Sequence, residues 1–317
     1  MRLPQLRIGN LLPKFSIVQG GMAVRISTAP LAAAVAAAGG VGTIAGTGMS
    51  VSELQQEIRQ ARELTRGIIG VNVLFAARDF ANLVKTAIKE KVDFIVAGAG
   101  VSRDMYAWGK EGGVAIIPIV SSARLAKIAE KMGAAALIVE GTEAGGHLGT
   151  DRPLREILPE VRRAVKLPLI AAGGIADGFD MAEMFKLGAD GVQLATRFIA
   201  SNECTAPQNF KEMHLNVRPE DIILIDSPVG MTGRAIRNQL SASLQANNPP
   251  KIAACDGCLK RCSRYYCILE ALRLAQQGDV DNGLVFSGTS AKKITAIAPV
   301  AEIISTLVKE AESVPAD

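Results

Sequence analysis

Short, nearly uninterrupted apolar runs alternate with longer amphipathic stretches through the first two thirds of the chain. The runs fall at 16–19, 41–45, 68–73, 94–97, 115–120, 136–140, 169–172 and 191–195. A strand with one wet face alternates apolar and polar positions. These runs do not, which predicts strands covered on both faces, as in a parallel sheet. Helical periodicity lies between them, at 28–38, 50–64, 122–132 and 178–187, with Ser50 and Ser122 where N-caps belong. Eight strands alternating with helices predict an α/β fold, a (β/α)8 or TIM barrel. A doubly wound open sheet is the competing arrangement.

The beat breaks after the eighth run. Residues 201–287 carry Pro207, Pro219, Pro228, the pair Pro249-Pro250 and all five cysteines, four of them between Cys255 and Cys267. This stretch is expected to be an insertion after strand eight that packs over the barrel mouth. The barrel proper would take 1–200 plus 288–317, with a helix over 300–310 closing the ring. At 317 residues, 49% hydrophobic and 21% charged, the chain can bury a large core without disulfides. The net charge of +4 comes without a basic stripe interleaved with aromatics, which argues against nucleic acid as a partner. The longest small-apolar run, Leu31 to Ala38, is too short to span a membrane. Met1 to Gln5 lacks the apolar core of an export signal, so a cytoplasmic location is expected.

Chemistry concentrates at the ends of the runs. Gly173-Gly174 follows the seventh and Ala195-Thr196 the eighth, where backbone N–H groups and a hydroxyl can hold a phosphate. A dinucleotide fold would place its glycine fingerprint at the first turn, whereas barrels hold phosphate at this late position, which favours the barrel. Taken singly, each pair is also an ordinary tight turn. The first run ends in Gly20-Gly21-Met22, which lets a planar ring lie against backbone beside a soft apolar wall. Asn72 offers both donor and acceptor to a ring edge. The glycine-rich loop after the sixth run ends in His147, a candidate acid–base group; the other histidine, His214, falls in the irregular segment. A flat apolar face, a donor–acceptor rim and a distant phosphate cradle suit a flavin. No fingerprint for a resident dinucleotide accompanies them, so a nicotinamide would be a transient substrate. A cofactor-free barrel acting on a phosphorylated metabolite is the alternative of a different class.

In five segments the chain resembles the nitronate monooxygenase and enoyl-acyl-carrier-protein reductase II group of FMN-dependent barrels. They are Gln19-Gly20-Gly21-Met22-Ala23, Gly70-Val71-Asn72, the run from Glu140 to His147, the run from Ala171 to Gly178, and the run from Gly191 to Phe198. The resemblance implies an FMN phosphate near Gly173, Gly174, Gln193, Ala195 and Thr196. It implies a ring near Gly20, Gly21, Met22, Asn72 and Glu140, with Gly145 and Gly146 in the adjoining loop. His147 matches the family histidine that serves as base in nitronate oxidation. Ile117-Pro118-Ile119-Val120-Ser121 and the Glu-Ala-Gly-Gly-His form lie closer to the reductase branch. The implied reaction is reduction of an activated C=C bond in an enoyl thioester, with NAD(P)H as electron donor. Nitronate oxidation with O2 and an NAD(P)H:quinone-type reductase are the alternatives.

One motif departs from that family. Cys255, Cys258, Cys262 and Cys267 have C-x2-C-x3-C-x4-C spacing. The first three resemble the iron–sulfur loop of 2,4-dienoyl-CoA reductase-type flavin barrels. Four thiolates suit a [4Fe-4S] cluster or Zn²⁺, and the single C-x2-C knuckle favours the cluster. A cluster would allow a ferredoxin-like electron donor, and the apolar insertion would suit a homodimer.

Overall fold

The computed structural model describes residues 1–98, 100 and 102–315. Eight parallel strands close into a barrel: β1 (Ile17–Gln19), β2 (Val41–Ala45), β3 (Ile68–Leu74), β4 (Phe94–Gly98), β5 (Ala115–Val120), β6 (Leu137–Glu140), β8 (Leu169–Ala172) and β9 (Gly191–Leu194). β1 pairs with both β2 and β9, so the sheet has no edge and the open-sheet alternative is excluded. A separate three-stranded antiparallel sheet joins β7 (Gly146–His147), β10 (Ile222–Asp226) and β11 (Thr232–Ile236).

The strands read as continuous apolar runs because each parity has its own buried partner. Ile17, Ile44, Ile69, Val71, Val139 and Val192 pack outward with helix residues such as Leu31, Leu54 and Val161. Val18, Val41, Phe94, Val96, Ile117 and Ile138 pack inward around Leu6 and Ile8 of the N-terminal segment. Gly70 leaves room for the Phe94 ring; a Cβ there would stand 2.4 Å from it.

The helices form largely where expected. Ser50 caps Val51–Leu64 through a capping box with Glu53, and Ser122 caps Ala123–Lys131; each cap contributes about 1 kcal/mol. The final helix, Val300–Ser313, packs on Gly178–Lys186 and completes the outer ring. A helix at Arg103–Gly112, capped by Ser102, was not anticipated. Its buried face is only Met105, Tyr106 and Gly109, too sparse to show against its charged positions. The last two residues assigned to the barrel, 316 and 317, lie outside the described residues.

Within 201–287 a third apolar cluster gathers Ile223, Ile225, Leu240, Leu259, Tyr266 and Ile268. No helix among the described residues is long and apolar enough to cross a membrane.

Phe94 is fully buried at the centre of the barrel. Phe94→Ala is expected to cost about 3–5 kcal/mol in urea unfolding. Phe179→Ala, at a side chain 56% exposed, should change stability by less than about 0.5 kcal/mol. Equal losses would contradict this account of the core.

Candidate active site

Strand parity also builds the functional pocket. The inward series that fills the barrel continues at the C-terminal strand ends as Asn72, Gly98, Ile119, Glu140 and Gln193, and all five line one cavity of about 840 Å³. Gly20, Gly21, Met22, Ala195, Thr196, Gly145, Gly146 and His147 join them. The size falls in the range of a cofactor pocket.

A buried polar knot shapes the floor. Gln19 accepts from the Thr43 N–H at 3.0 Å and donates to Ser27 Oγ at 2.9 Å; Ser27 Oγ accepts from the Met22 N–H at 2.9 Å. These bonds hold the Gly20–Met22 turn against the strand ends. At Gly21 a Cβ would stand 2.4 Å from Asn72 Cβ, so only glycine lets this backbone lie flat beside the asparagine. At Gly20 a Cβ would stand 3.2 Å from Ala195 Cβ, which puts the ring-sized floor next to the β9 end.

Gly173 and Gly174 take left-handed φ of +104° and +75° directly after β8. They stand beside the cavity lining, tucked against the loop of Glu143 and Ala144. No backbone hydrogen bond within the described chain takes up the N–H groups of Gly174 and Thr196. Two N–H donors at adjoining strand ends are thus left without a backbone acceptor. Gly288 donates to Thr196 Oγ1 at 3.2 Å and Thr289 to the Glu143 carbonyl at 3.0 Å, which pins the 287–289 segment to the same corner.

The opposite wall comes from the irregular segment: Val229, Met231, Leu259, Leu269, Leu272 and Phe286. Leu269 and Leu272 lie three apart on the helix Ile268–Gln276, a period visible in the sequence, whereas Val229, Met231, Leu259 and Phe286 lie outside any helix or strand and carry no local mark. Arg25 and Glu53 form an ion pair, also on the lining.

Two titratable groups inside the cavity are displaced in opposite directions. Glu140 ends β6 and burial pushes its carboxyl up to about 8; among the described residues no hydrogen bond or ion pair compensates. His147 lies in β7 opposite Gly233, with the Phe286 ring against it at 5.3 Å. Burial lowers its imidazole to about 4, and its Nε2 is 2.8 Å from Ser227 Oγ. At neutral pH both are uncharged: a carboxylic acid and a neutral imidazole share the pocket. Acid–base chemistry is available without a fixed charge.

The cysteine segment borders this cavity. Arg78 N–H donates to the Cys258 carbonyl at 2.9 Å, Lys260 N–H donates to the Ala76 carbonyl at 2.9 Å, and Cys258 itself faces the pocket. Burial raises the Cys258 thiol, and repulsion from Cys267, Cys262 and Cys255 adds to this, so the four sulfurs are within electrostatic reach. The closed tetrathiolate expected from the spacing is not formed, however. Among the described residues no three histidine, cysteine or acidic side chains converge tightly enough to hold a metal ion. Cys255 and Cys262 are exposed, while Cys258 and Cys267 are half-buried. Cys204 is buried apart from them, its thiol facing the Ile26 carbonyl at 3.8 Å.

The nitronate monooxygenase family model matches residues 6–87 and 75–310. The chain belongs to the nitronate monooxygenase family. It is 34% identical over 229 residues to a Rhodococcus jostii protein named (3aS,4S,5R,7aS)-5-hydroxy-7a-methyl-1-oxo-octahydro-1H-indene-4-carboxyl-CoA dehydrogenase, covering 72% of this chain and 64% of that protein. The chain thus spans somewhat under two thirds of that relative's length. The structure of FabK from Thermotoga maritima is similar with a TM-score of 0.84 and 34% identity, over 95% of this chain and 93% of that one. A nitroalkane oxidase from Streptomyces ansochromogenes is similar with a TM-score of 0.82 and 25% identity, over 95% and 96% of the two chains.

The shift of Glu140 has a measurable consequence. Unfolded, the carboxyl ionises near 4.5; folded, near 8. The unfolded chain loses its proton first, so this group's contribution to stability declines as pH rises from about 4.5 to about 8 and then levels. His147 acts the other way, costing stability only as pH falls from 6.5 toward 4. Thermal midpoints of the ligand-free protein between pH 5 and 8 should therefore fall for wild type relative to Glu140→Gln. A pH-independent difference between the two would contradict the buried neutral acid.

Proposed function

We propose that this protein is an FMN-dependent oxidoreductase that reduces the activated C=C bond of an enoyl thioester with electrons from NAD(P)H. The observation that carries this reading is the single cavity at the strand ends. It combines a glycine floor, a donor–acceptor edge at Asn72 and Gln193, and free N–H donors beside it, with an uncharged acid and imidazole facing the same space. The likeness to FabK over nearly the whole chain supports the same branch.

The residues fit FMN. Gly20, Gly21 and Met22 offer a flat floor for the ring, and Asn72 and Gln193 polar groups for its rim. Gly173, Gly174, Ala195 and Thr196 offer donors for the phosphate, with Gly145 and Gly146 closing the loop above. When bound, the flavin supplies two-electron chemistry, taking up hydride from a nicotinamide and passing it to an electron-poor carbon. The chain's own part is to place the substrate, exclude water with the apolar wall from Val229 to Phe286, and provide one proton. Overall, NAD(P)H and one proton are consumed for each C=C bond saturated. His147 or Glu140, both on the cavity lining, would supply that proton to the α-carbon.

Nitronate oxidation is the competing reading, favoured by the neutral His147 and by the likeness to the nitroalkane oxidase. Anaerobic mixing separates the two. The reductase reading expects bound flavin to bleach with NADH or NADPH and regain its colour on adding a 2-enoyl thioester. Bleaching by an alkyl nitronate but not by either nicotinamide would overturn it.

For the cysteine segment the proposal is a metal-binding loop, holding an iron–sulfur cluster or zinc, in which the thiols draw closer than they stand here. The spacing and the mutual reach of the four sulfurs support it, and no step of the reaction is assigned to it. With a cluster in that loop, a ferredoxin-like protein would serve as electron donor, and the apolar segment around it would suit a homodimer. The anaerobic preparation is expected to contain iron or zinc in stoichiometric amount; neither metal would overturn the loop's proposed role.

A further inference from the structure

A neutral His147 can offer the pocket either a proton or a lone pair, depending on which ring nitrogen carries the hydrogen. We infer that Ser227 settles this: its hydroxyl donates to His147 Nε2, fixing the imidazole with its proton on Nδ1, so that the histidine meets the substrate as a donor. Ser227 is thereby a positioning residue for the proposed reaction, and the inference rests on that reading of the cavity.

Ser227 Oγ is 2.8 Å from His147 Nε2 and accepts from the Val229 N–H at 3.3 Å. Ser227 is 6% exposed, and the hydroxyl has one hydrogen to place. Tyr266 is the other polar group within interaction distance. Its hydroxyl interacts with Ser227 but is not aligned for a hydrogen bond, and no other described group partners it. The well-placed acceptor for the serine hydrogen is therefore Nε2. The opposite tautomer would carry a hydrogen on Nε2 pointing at Ser227 and leave the serine hydrogen only the poorly aligned Tyr266 oxygen in a buried site, which costs about 1–3 kcal/mol.

With Nε2 occupied as acceptor and the ring neutral, the proton belongs to Nδ1, which has no partner in the described chain while His147 lines the cavity. A neutral N–H donor can stabilise negative charge developing on a thioester carbonyl oxygen. It is poorly arranged to abstract a proton from a nitroalkane, because its lone pair already receives the Ser227 hydroxyl. The tautomer thus favours the reductive branch for a reason independent of sequence likeness.

The chain has two histidines, which makes the test direct. Long-range ¹H–¹⁵N spectra of the histidine-labelled, purified protein give one ring pattern for each, with His147→Gln used for assignment. His214, buried between the carbonyls of Phe210 and Phe286, is the internal control. The expected pattern for His147 is a neutral ring protonated at Nδ1. Ser227→Ala should convert it to a mixed or Nε2-protonated pattern without moving His214, and Ser227→Thr should retain it. A wild-type ring protonated at Nε2, or a pattern unchanged in Ser227→Ala, overturns the inference. In turnover, Ser227→Ala is expected to lower kcat for enoyl reduction at least about 10-fold with KM nearly unchanged, and Ser227→Thr to restore it. Equal kcat in wild type and Ser227→Ala, with the spectral change present, would deny the positioning role. Absence of enoyl reduction in wild type would instead count against the reductase reading and leave the spectral result standing.

Discussion

The pairing of β1 with β9 is the constraint on which everything else depends. Ile17, Val18 and Gln19 register against Val192, Gln193 and Leu194 across the seam that joins the two ends of the sheet. Without that seam the sheet would have two edges, and the ends of the first and last strands would diverge. With it, the Gly20 turn lies against Ala195, so a flat floor made by the first strand adjoins the donors made by the last two. A ligand with a planar ring at one end and a phosphate at the other matches that juxtaposition.

Closure also explains the chemistry within. One parity of every strand points into the barrel, and the lower layers fill with Phe94, Val96, Ile117 and Ile138. The same parity emerges at the mouth as Asn72, Glu140 and Gln193. Polar groups there inherit a low-dielectric floor, and that floor keeps the Glu140 carboxyl protonated and the His147 ring neutral. The segment from 201 to 287 supplies the other half of the enclosure. Its sheet carries His147 opposite Gly233, its turn at Ser227 meets the ring, and its apolar side chains close the wall.

Much of the barrel is legible in the chain because parallel strands and capped helices leave local marks. Eight apolar runs, Ser50 and Ser122 are such marks, and each boundary lies within a residue or so of the observed element. The mouth residues on strand ends were legible for the same reason: Gly20, Gly21, Asn72, Glu140, His147, Gln193, Ala195 and Thr196 meet in one cavity, with Gly173 and Gly174 just beside it. Ser227, Met231 and Phe286 were not, since their role follows from a fold-back that no local period encodes. The helix Arg103–Gly112 escaped notice because only three of its positions are buried. Cysteine spacing raises the expectation of a ligand set, yet the distances between sulfurs depend on how a segment without regular structure lies against Phe75 to Arg78, which spacing alone does not determine.

The central claim is that one end of this cavity takes a flavin ring and its neighbouring strand ends take the phosphate. Titration of the flavin-free protein with FMN and with riboflavin, followed by quenching of flavin fluorescence, tests both halves at once. The account predicts one FMN per chain, bound at least about tenfold more tightly than riboflavin, a difference of about 1.4 kcal/mol for the phosphate. Equal affinity for the two would remove the phosphate cradle, and no binding of either would contradict the account as a whole.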